Sequence, residues 1–112
     1  MGNYVYYRGG PKLNARIDEV KLERSTNRLK SSHGVSVYNR SDHHNLNAHG
    51  GAYTLGSIPI QLRVIQRGKD TSHYEIVPAQ ALALTFEEYQ EYLDQIVLTR
   101  VDLRRKENKR GD

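Results

Sequence analysis

A chain of 112 residues has room for one core and not for a second domain. Its 37% hydrophobic content, with eight Tyr, one Phe and no Trp, describes a folded domain whose economical core leaves Tyr hydroxyls near its edges. The lack of cysteine excludes disulfides, thiolate nucleophiles and Cys-ligated zinc. With no apolar run of membrane-spanning length and a polar start at Met1-Gly2-Asn3-Tyr4, the expectation is a cytoplasmic site of action and no membrane partner.

The net charge of +4 raises the question of a polyanionic partner. Residues 101–112 hold five basic groups (Arg104, Arg105, Lys106, Lys109, Arg110) against three acidic ones (Asp102, Glu107, Asp112), so the rest of the chain is nearly balanced. The pattern predicts a single domain over 1–104 and a solvated basic tail over 105–112.

In chain order, Tyr4-Val5-Tyr6-Tyr7-Arg8 is rich in strand formers and stops at Gly9-Gly10-Pro11, which predicts a strand with Arg8 at its exit. Residues 17–23 fit a short strand and a helical turn equally, and Ser25-Thr26-Asn27 is turn chemistry. Alternation then predicts a strand with Val35 and Val37 on one face, Ser36 and Tyr38 on the other. Residues 39–57 carry Asn, Asp, His and Gly without apolar periodicity, which predicts a long mobile loop suited to act as a lid. Ile58 to Ile65 and His73 to Pro78, joined by the Arg67-Gly68-Lys69-Asp70 turn, predict a hairpin. Thr85-Phe86-Glu87-Glu88 is a capping box, and Phe86, Tyr89, Leu93, Ile96 and Val97 form a stripe predicting a helix from Phe86 to about Arg104.

In the 39–57 loop, His43, His44 and His49 lie close together beside Asp42. Neighbouring His43 and His44 are expected to point apart, and no rigid platform follows at Gly50-Gly51, so the cluster reads as solvated loop and not as a metal site.

Tyr7-Arg8, Ser36-Val37-Tyr38-Asn39-Arg40, Ile58-Pro59-Ile60-Gln61-Leu62 and His73-Tyr74-Glu75-Ile76-Val77-Pro78-Ala79, followed by the amphipathic C-terminal helix, share an order and spacing that resembles the ADP-ribosyltransferase-like cytotoxins delivered by type VI secretion. The resemblance implies a compact α+β domain, a mainly antiparallel split sheet with a C-terminal helix. It implies NAD as substrate, for transfer to an unknown macromolecular target or for hydrolysis, in the cytoplasm of a target or host bacterium. A cognate antitoxin or immunity protein is implied as partner.

Cleaving the nicotinamide–ribose bond develops positive charge on the sugar, which calls for oriented groups that hold NAD and favour an oxocarbenium-like state. Under the resemblance, Arg8 offers a planar fork to phosphate or ribose oxygens. Ser36 orients the ribose or a catalytic side chain, and Glu75 is the strand carboxylate that faces the cation. Period-2 geometry puts His73 and Glu75 on one face; Tyr38 offers a ring to nicotinamide, and His73 and His33 complete the NAD-binding candidates. Singly, each has an ordinary reading: Arg8 a surface residue at a strand end, Ser36 an outward polar residue, His73 a hydrogen-bonding histidine, Glu75 a charge that deters edge pairing. Two other functions fit the same residues. One is a nucleic-acid-binding module using the tyrosines and the basic tail. The other is a metal-independent ribonuclease toxin in which His33 or His73 acts with Arg and Tyr.

Overall fold

The computed structural model describes residues 5–47, 50–80 and 82–101. Six short strands form one antiparallel sheet: β1 (Tyr7–Gly9), β2 (Val35–Tyr38), β3 (Ala52–Leu55), β4 (Leu62–Gln66), β5 (His73–Pro78) and β6 (Leu98–Arg100), in the order β4-β5-β2-β1-β3-β6. Two helices accompany it, α1 (His44–Asn47) and α2 (Phe86–Leu93), which makes the domain α+β.

The alternation in β2 and β5 sorts the sheet into two faces. Val35 and Val37 from β2, Tyr74 and Ile76 from β5, and Leu62 and Val64 from β4 join the core with Tyr89, Leu93 and Ile96 from α2 and the turn after it. The opposite face carries Ser36, Tyr38, His73 and Glu75, because β2 and β5 pair with Ser36 opposite Glu75 and Tyr38 opposite His73.

The capping box forms as the sequence indicates: Thr85 accepts from the Glu88 N–H, and the Glu88 carboxylate accepts from the Thr85 N–H. Helix α2 nevertheless ends at Leu93 and does not continue toward Arg104. Ile96 stays buried, but Val97 is 68% exposed and the chain turns into β6, pairing Leu98 with Leu55 and Thr99 with Thr54. The run Val97-Leu98-Thr99-Arg100-Val101, β-branched at every second residue, finds an open sheet edge, and pairing there outweighs a helical stripe of modest intrinsic propensity. The predicted helix end at Arg104 and the 105–112 tail lie outside the described residues.

The predicted 39–57 loop is also shorter in the structure. It contains α1 and all of β3, which pairs with β1 through Tyr7↔Thr54, Arg8↔Tyr53 and Gly9↔Ala52. Gly50 and Gly51, at φ +101 and +100, make the reversal that lets Ala52 enter the sheet, a conformation open to glycine at no steric cost. Four strand residues between glycines present too short an alternation to read from sequence. The 17–23 segment resolves into a turn closed by Glu19 N–H to the Arg16 carbonyl, then a single bridge between Leu22 and Leu29 around Asn27 at φ 62. Among the described residues, no helix is long and apolar enough to cross a membrane.

Two features position the site. First, β1 and β2 pair at one register only, Tyr7↔Tyr38, so the sheet parts beyond it between Arg8–Gly9 and Ser36. Second, the Gln90 amide on α2 accepts from the Ala15 N–H and donates to the Leu13 carbonyl, fixing the strap that carries Arg16 and Glu19.

Candidate functional site

Where β1 and β2 separate, a cleft of about 370 Å³ opens, lined by Arg8, Arg16, Glu19, Ser36, Tyr38 and Asn45. Other depressions of 410, 380 and 450 Å³ are comparable in size, but their linings draw on the 11–14 and 22–31 segments and the ends of α2, away from the polar face of the sheet. Convergence of charged and hydroxyl groups, and not volume, therefore singles out the cleft at the strand joint.

Arg8 is half-buried and bridges the gap between the two strands. Its Nη1 donates to the Ser36 carbonyl at 2.8 Å and its Nε to the Lys12 carbonyl at 3.4 Å. Among the described residues Nη2 has no hydrogen-bond partner, so the fork is oriented by backbone on one side and offers donors on the other.

Ser36 faces His73 across the strands, with Oγ 3.0 Å from Nε2. On the far side of the ring, Nδ1 lies 2.8 Å from the Arg67 carbonyl, which only accepts, so Nδ1 carries the proton. The neutral tautomer then presents an Nε2 lone pair to which the Ser36 hydroxyl donates.

Glu75 takes a different place from the one expected of a carboxylate facing a ribose. It is only 6% exposed and does not line the cleft. Its Oε1 accepts from the Gly34 N–H at 2.9 Å; its Oε2 lies 3.1 Å from Arg67 Nε and 3.6 Å from His73 Nε2. The Arg67 N–H is not aimed at the carboxylate, so this contact is an ion pair without a formed hydrogen bond. His33 lies near the same group: partial burial and the Arg67 charge lower its pKa below the usual imidazole value, opposed by Glu75. The sequence candidates thus divide, with Arg8, Ser36 and Tyr38 on the cleft and His73, Glu75 and His33 behind it.

Tyr38 is held at both ends. Its hydroxyl accepts from the Asn45 amide at 2.9 Å, and His43 stacks on its ring at a centroid distance of 4.0 Å. One ring face is therefore already covered, and the His73 ring meets Tyr38 in a tilted contact at 5.5 Å. His43 accepts from the Asn45 N–H at Nδ1, so Nε2 carries the proton and donates to Asp70 at 2.7 Å. The ring of His44 stacks on His43 at 4.5 Å instead of pointing away, while His49 lies outside the described residues.

Five site residues were not anticipated: Arg16 and Glu19 on the strap, Asn45 on α1, and the turn residues Arg67 and Asp70. Only the last two carried a signal, as the turn of a predicted hairpin. Glu19 is the notable one. Its Oε1 is shut off from solvent with no hydrogen-bond partner among the described residues, and burial raises its pKa above the usual carboxyl value, with the Arg8 charge opposing. Compared with known proteins, the chain matches no family model, no curated protein and no solved structure.

Proposed function

We propose that the chain is an ADP-ribosyltransferase-like domain that binds NAD at the joint of β1 and β2 and breaks its nicotinamide–ribose bond. The observation that carries this reading is the convergence on one cleft of Arg8, Ser36 and Tyr38, all drawn from the stretches on which the toxin resemblance rests. The pre-oriented Arg8 fork suits a diphosphate, with Arg16 at the rim as second cation. The Tyr38 ring, on the cleft wall, suits contact with the nicotinamide ring. Ser36, steered by the fixed tautomer of His73, directs its oxygen lone pairs at the ribose. In this reading Glu75 is a positioning residue: it holds the Gly34 backbone and pairs with Arg67, whose carbonyl in turn fixes the His73 ring. Action in a bacterial cytoplasm, a macromolecular acceptor and a cognate antitoxin or immunity protein belong to the same proposal and rest on the resemblance.

The test is nicotinamide release by the purified chain, with NAD binding by calorimetry, in parent and Arg8→Ala. The expected result is turnover and binding in the parent and a loss on the order of 100-fold in turnover for Arg8→Ala. A parent that neither binds NAD nor releases nicotinamide overturns the reading.

A second reading, the metal-independent ribonuclease, is favoured by one cluster: Glu75, Arg67 and His73 in contact, with His33 near enough to feel two of their charges. Such a set supplies base, acid and cation for attack by a ribose 2′-hydroxyl. It ranks second because Glu75 is covered and tied to Gly34. Cleavage of RNA without NAD, abolished by His73→Gln, would reverse the ranking.

A further inference from the structure

Glu75 and Glu19 both stand near the polar face of the sheet, and their surroundings differ. Glu75 has a backbone donor and a guanidinium. Glu19 is half-buried in the cleft wall with Oε1 unpartnered among the described residues. Arg8 is near enough for its charge to act on Glu19, yet Arg8 directs two of its donors to the Lys12 and Ser36 carbonyls. Arg16, next along the strap, pairs with Asp18 through two contacts of 3.2 Å in an exposed position, where such a pair contributes little and exchanges readily. Glu19 and Arg16 on the strap and Arg8 on β1 thus line one cleft, in which Glu19 Oε1 and Arg8 Nη2 have no hydrogen-bond partner among the described residues.

A buried acceptor left without a partner is costly, and native structures seldom keep one without a compensating role. A ligand that enters this cleft must bring hydroxyl donors toward Glu19 and anionic oxygens toward the arginines. A sugar phosphate with vicinal hydroxyls has that pattern, whereas a plain phosphate lacks the paired hydroxyls set apart from the charge and a neutral sugar lacks the charge. Oε1 itself is shielded, so a ligand meets Glu19 where the residue lines the cleft, through the second carboxylate oxygen.

We propose that Glu19 is the ligand-contacting carboxylate of the cleft, accepting hydrogen bonds from the vicinal hydroxyls of a ribosyl group whose attached phosphate is held by Arg8 and Arg16. This rests on the NAD reading and sharpens it: the negative charge beside the ribose comes from the strap at Glu19, not from β5 at Glu75. The same unmet need for donors makes Glu19 a residue that the apo fold would be better without.

The experiment uses the full chain and ADP-ribose as probe, with affinity by calorimetry, nicotinamide release from NAD and thermal melts for the parent, Glu19→Gln and Glu19→Asp. Support requires that Glu19→Gln weaken ADP-ribose binding by about tenfold or more, the size expected for hydrogen bonds to a charged acceptor. It also requires that its melting temperature stay at or above the parent value. Partial retention of affinity in Glu19→Asp, which keeps charge but shortens reach, adds to that support. Unchanged ADP-ribose affinity in Glu19→Gln overturns the inference, as does a fall in melting temperature, which would make Glu19 a packing residue. A parent that fails to bind ADP-ribose overturns it also. The two proposals separate cleanly. Glu19-dependent ADP-ribose binding without nicotinamide release removes the cleavage activity and leaves Glu19 assigned; nicotinamide release indifferent to Glu19→Gln does the reverse.

Discussion

The hydroxyl of Tyr89 is wedged between the two strands that carry Ser36, His73 and Glu75. It accepts from the Val35 N–H at 2.9 Å and donates to the Ile76 carbonyl, and Val35 and Ile76 are register partners of β2 and β5. The residue is fully buried, so no water replaces the hydroxyl if it is removed, and burial accordingly pushes its pKa well above the usual phenol value. Tyr89→Phe keeps the ring and leaves two buried backbone groups without partners. At about 1–2 kcal/mol each, the lower part of the range because the strands can close partway, the loss is about 2–4 kcal/mol. For a chain of this length that is a fall in melting temperature of about 8–16 °C. Circular dichroism melts measure it, and amide exchange at Val35 localises it, since that N–H loses its protection. A melting temperature within about 3 °C of the parent, with Val35 still protected, would show that the strands re-pair directly and that the tyrosine bridge is not what holds them.

Other perturbations read out the same framework. Gly34→Ala is expected to prevent folding, because a Cβ there would stand 1.8 Å from the Ile76 carbonyl oxygen and 2.6 Å from the Tyr89 hydroxyl; soluble, cooperatively melting protein would refute this. Glu75→Gln is expected to cost about 1–3 kcal/mol in a denaturant titration, because the amide can keep the Gly34 bond but loses the charge facing Arg67. For Glu19 the raised pKa means that its favourable contribution is complete below the ordinary value of 4.5 and is lost as pH rises through the folded value. Glu19→Gln should therefore melt above the parent at neutral pH and converge with it toward pH 4.5; melts across that range decide. Asp70 has the opposite sign: the His43 hydrogen bond first, then the Ser72 N–H, lower its pKa. Its contribution is present above 3.8 and is lost as pH falls through the folded value, so Asp70→Asn should be less stable than the parent at neutral pH, with the gap closing in acid.

The strands that form the polar face were legible because each is a run of alternating residues long enough to show its period. Val35-Ser36-Val37-Tyr38 and His73 to Pro78 declare both faces, and the capping box announces α2 from its first turn. The misread elements are those whose state is decided by distant partners. Leu98-Thr99-Arg100 continues a helical stripe in sequence and becomes a strand because β3 offers an edge, and β3 escapes notice as four residues between glycines. The site divides in the same way. Arg8, Ser36 and Tyr38 sit on readable strands, whereas Glu19 lies in a segment of no clear period. Its place in the cleft depends on Gln90, some seventy residues further along the chain, fastening the strap to α2.

That dependence bears on how the cleft is built. Behind it, most polar atoms are matched: Tyr89 with Val35 and Ile76, Glu75 with Gly34, His73 with Ser36 and the Arg67 carbonyl, His43 with Asp70; among the described residues Arg67 Nε, ion-paired with Glu75 but not hydrogen-bonded, is the exception. In the cleft wall the matching is incomplete, with Arg8 Nη2 and the shielded Glu19 Oε1 both short of partners among the described residues. A satisfied network is stiff, because moving any member breaks bonds that nothing replaces. Groups mounted on such a frame cannot relax toward one another, so Arg8 Nη2 remains available to a ligand and the Glu19 carboxylate stays in the cleft wall. The sheet supplies the frame and the strap supplies the opposing charge. If that division holds, substitutions behind the cleft will act mainly through stability, and those in its wall mainly through affinity and turnover. Glu75→Gln and Glu19→Gln, one carboxylate from each side, are the pair in which the two effects should be seen to part.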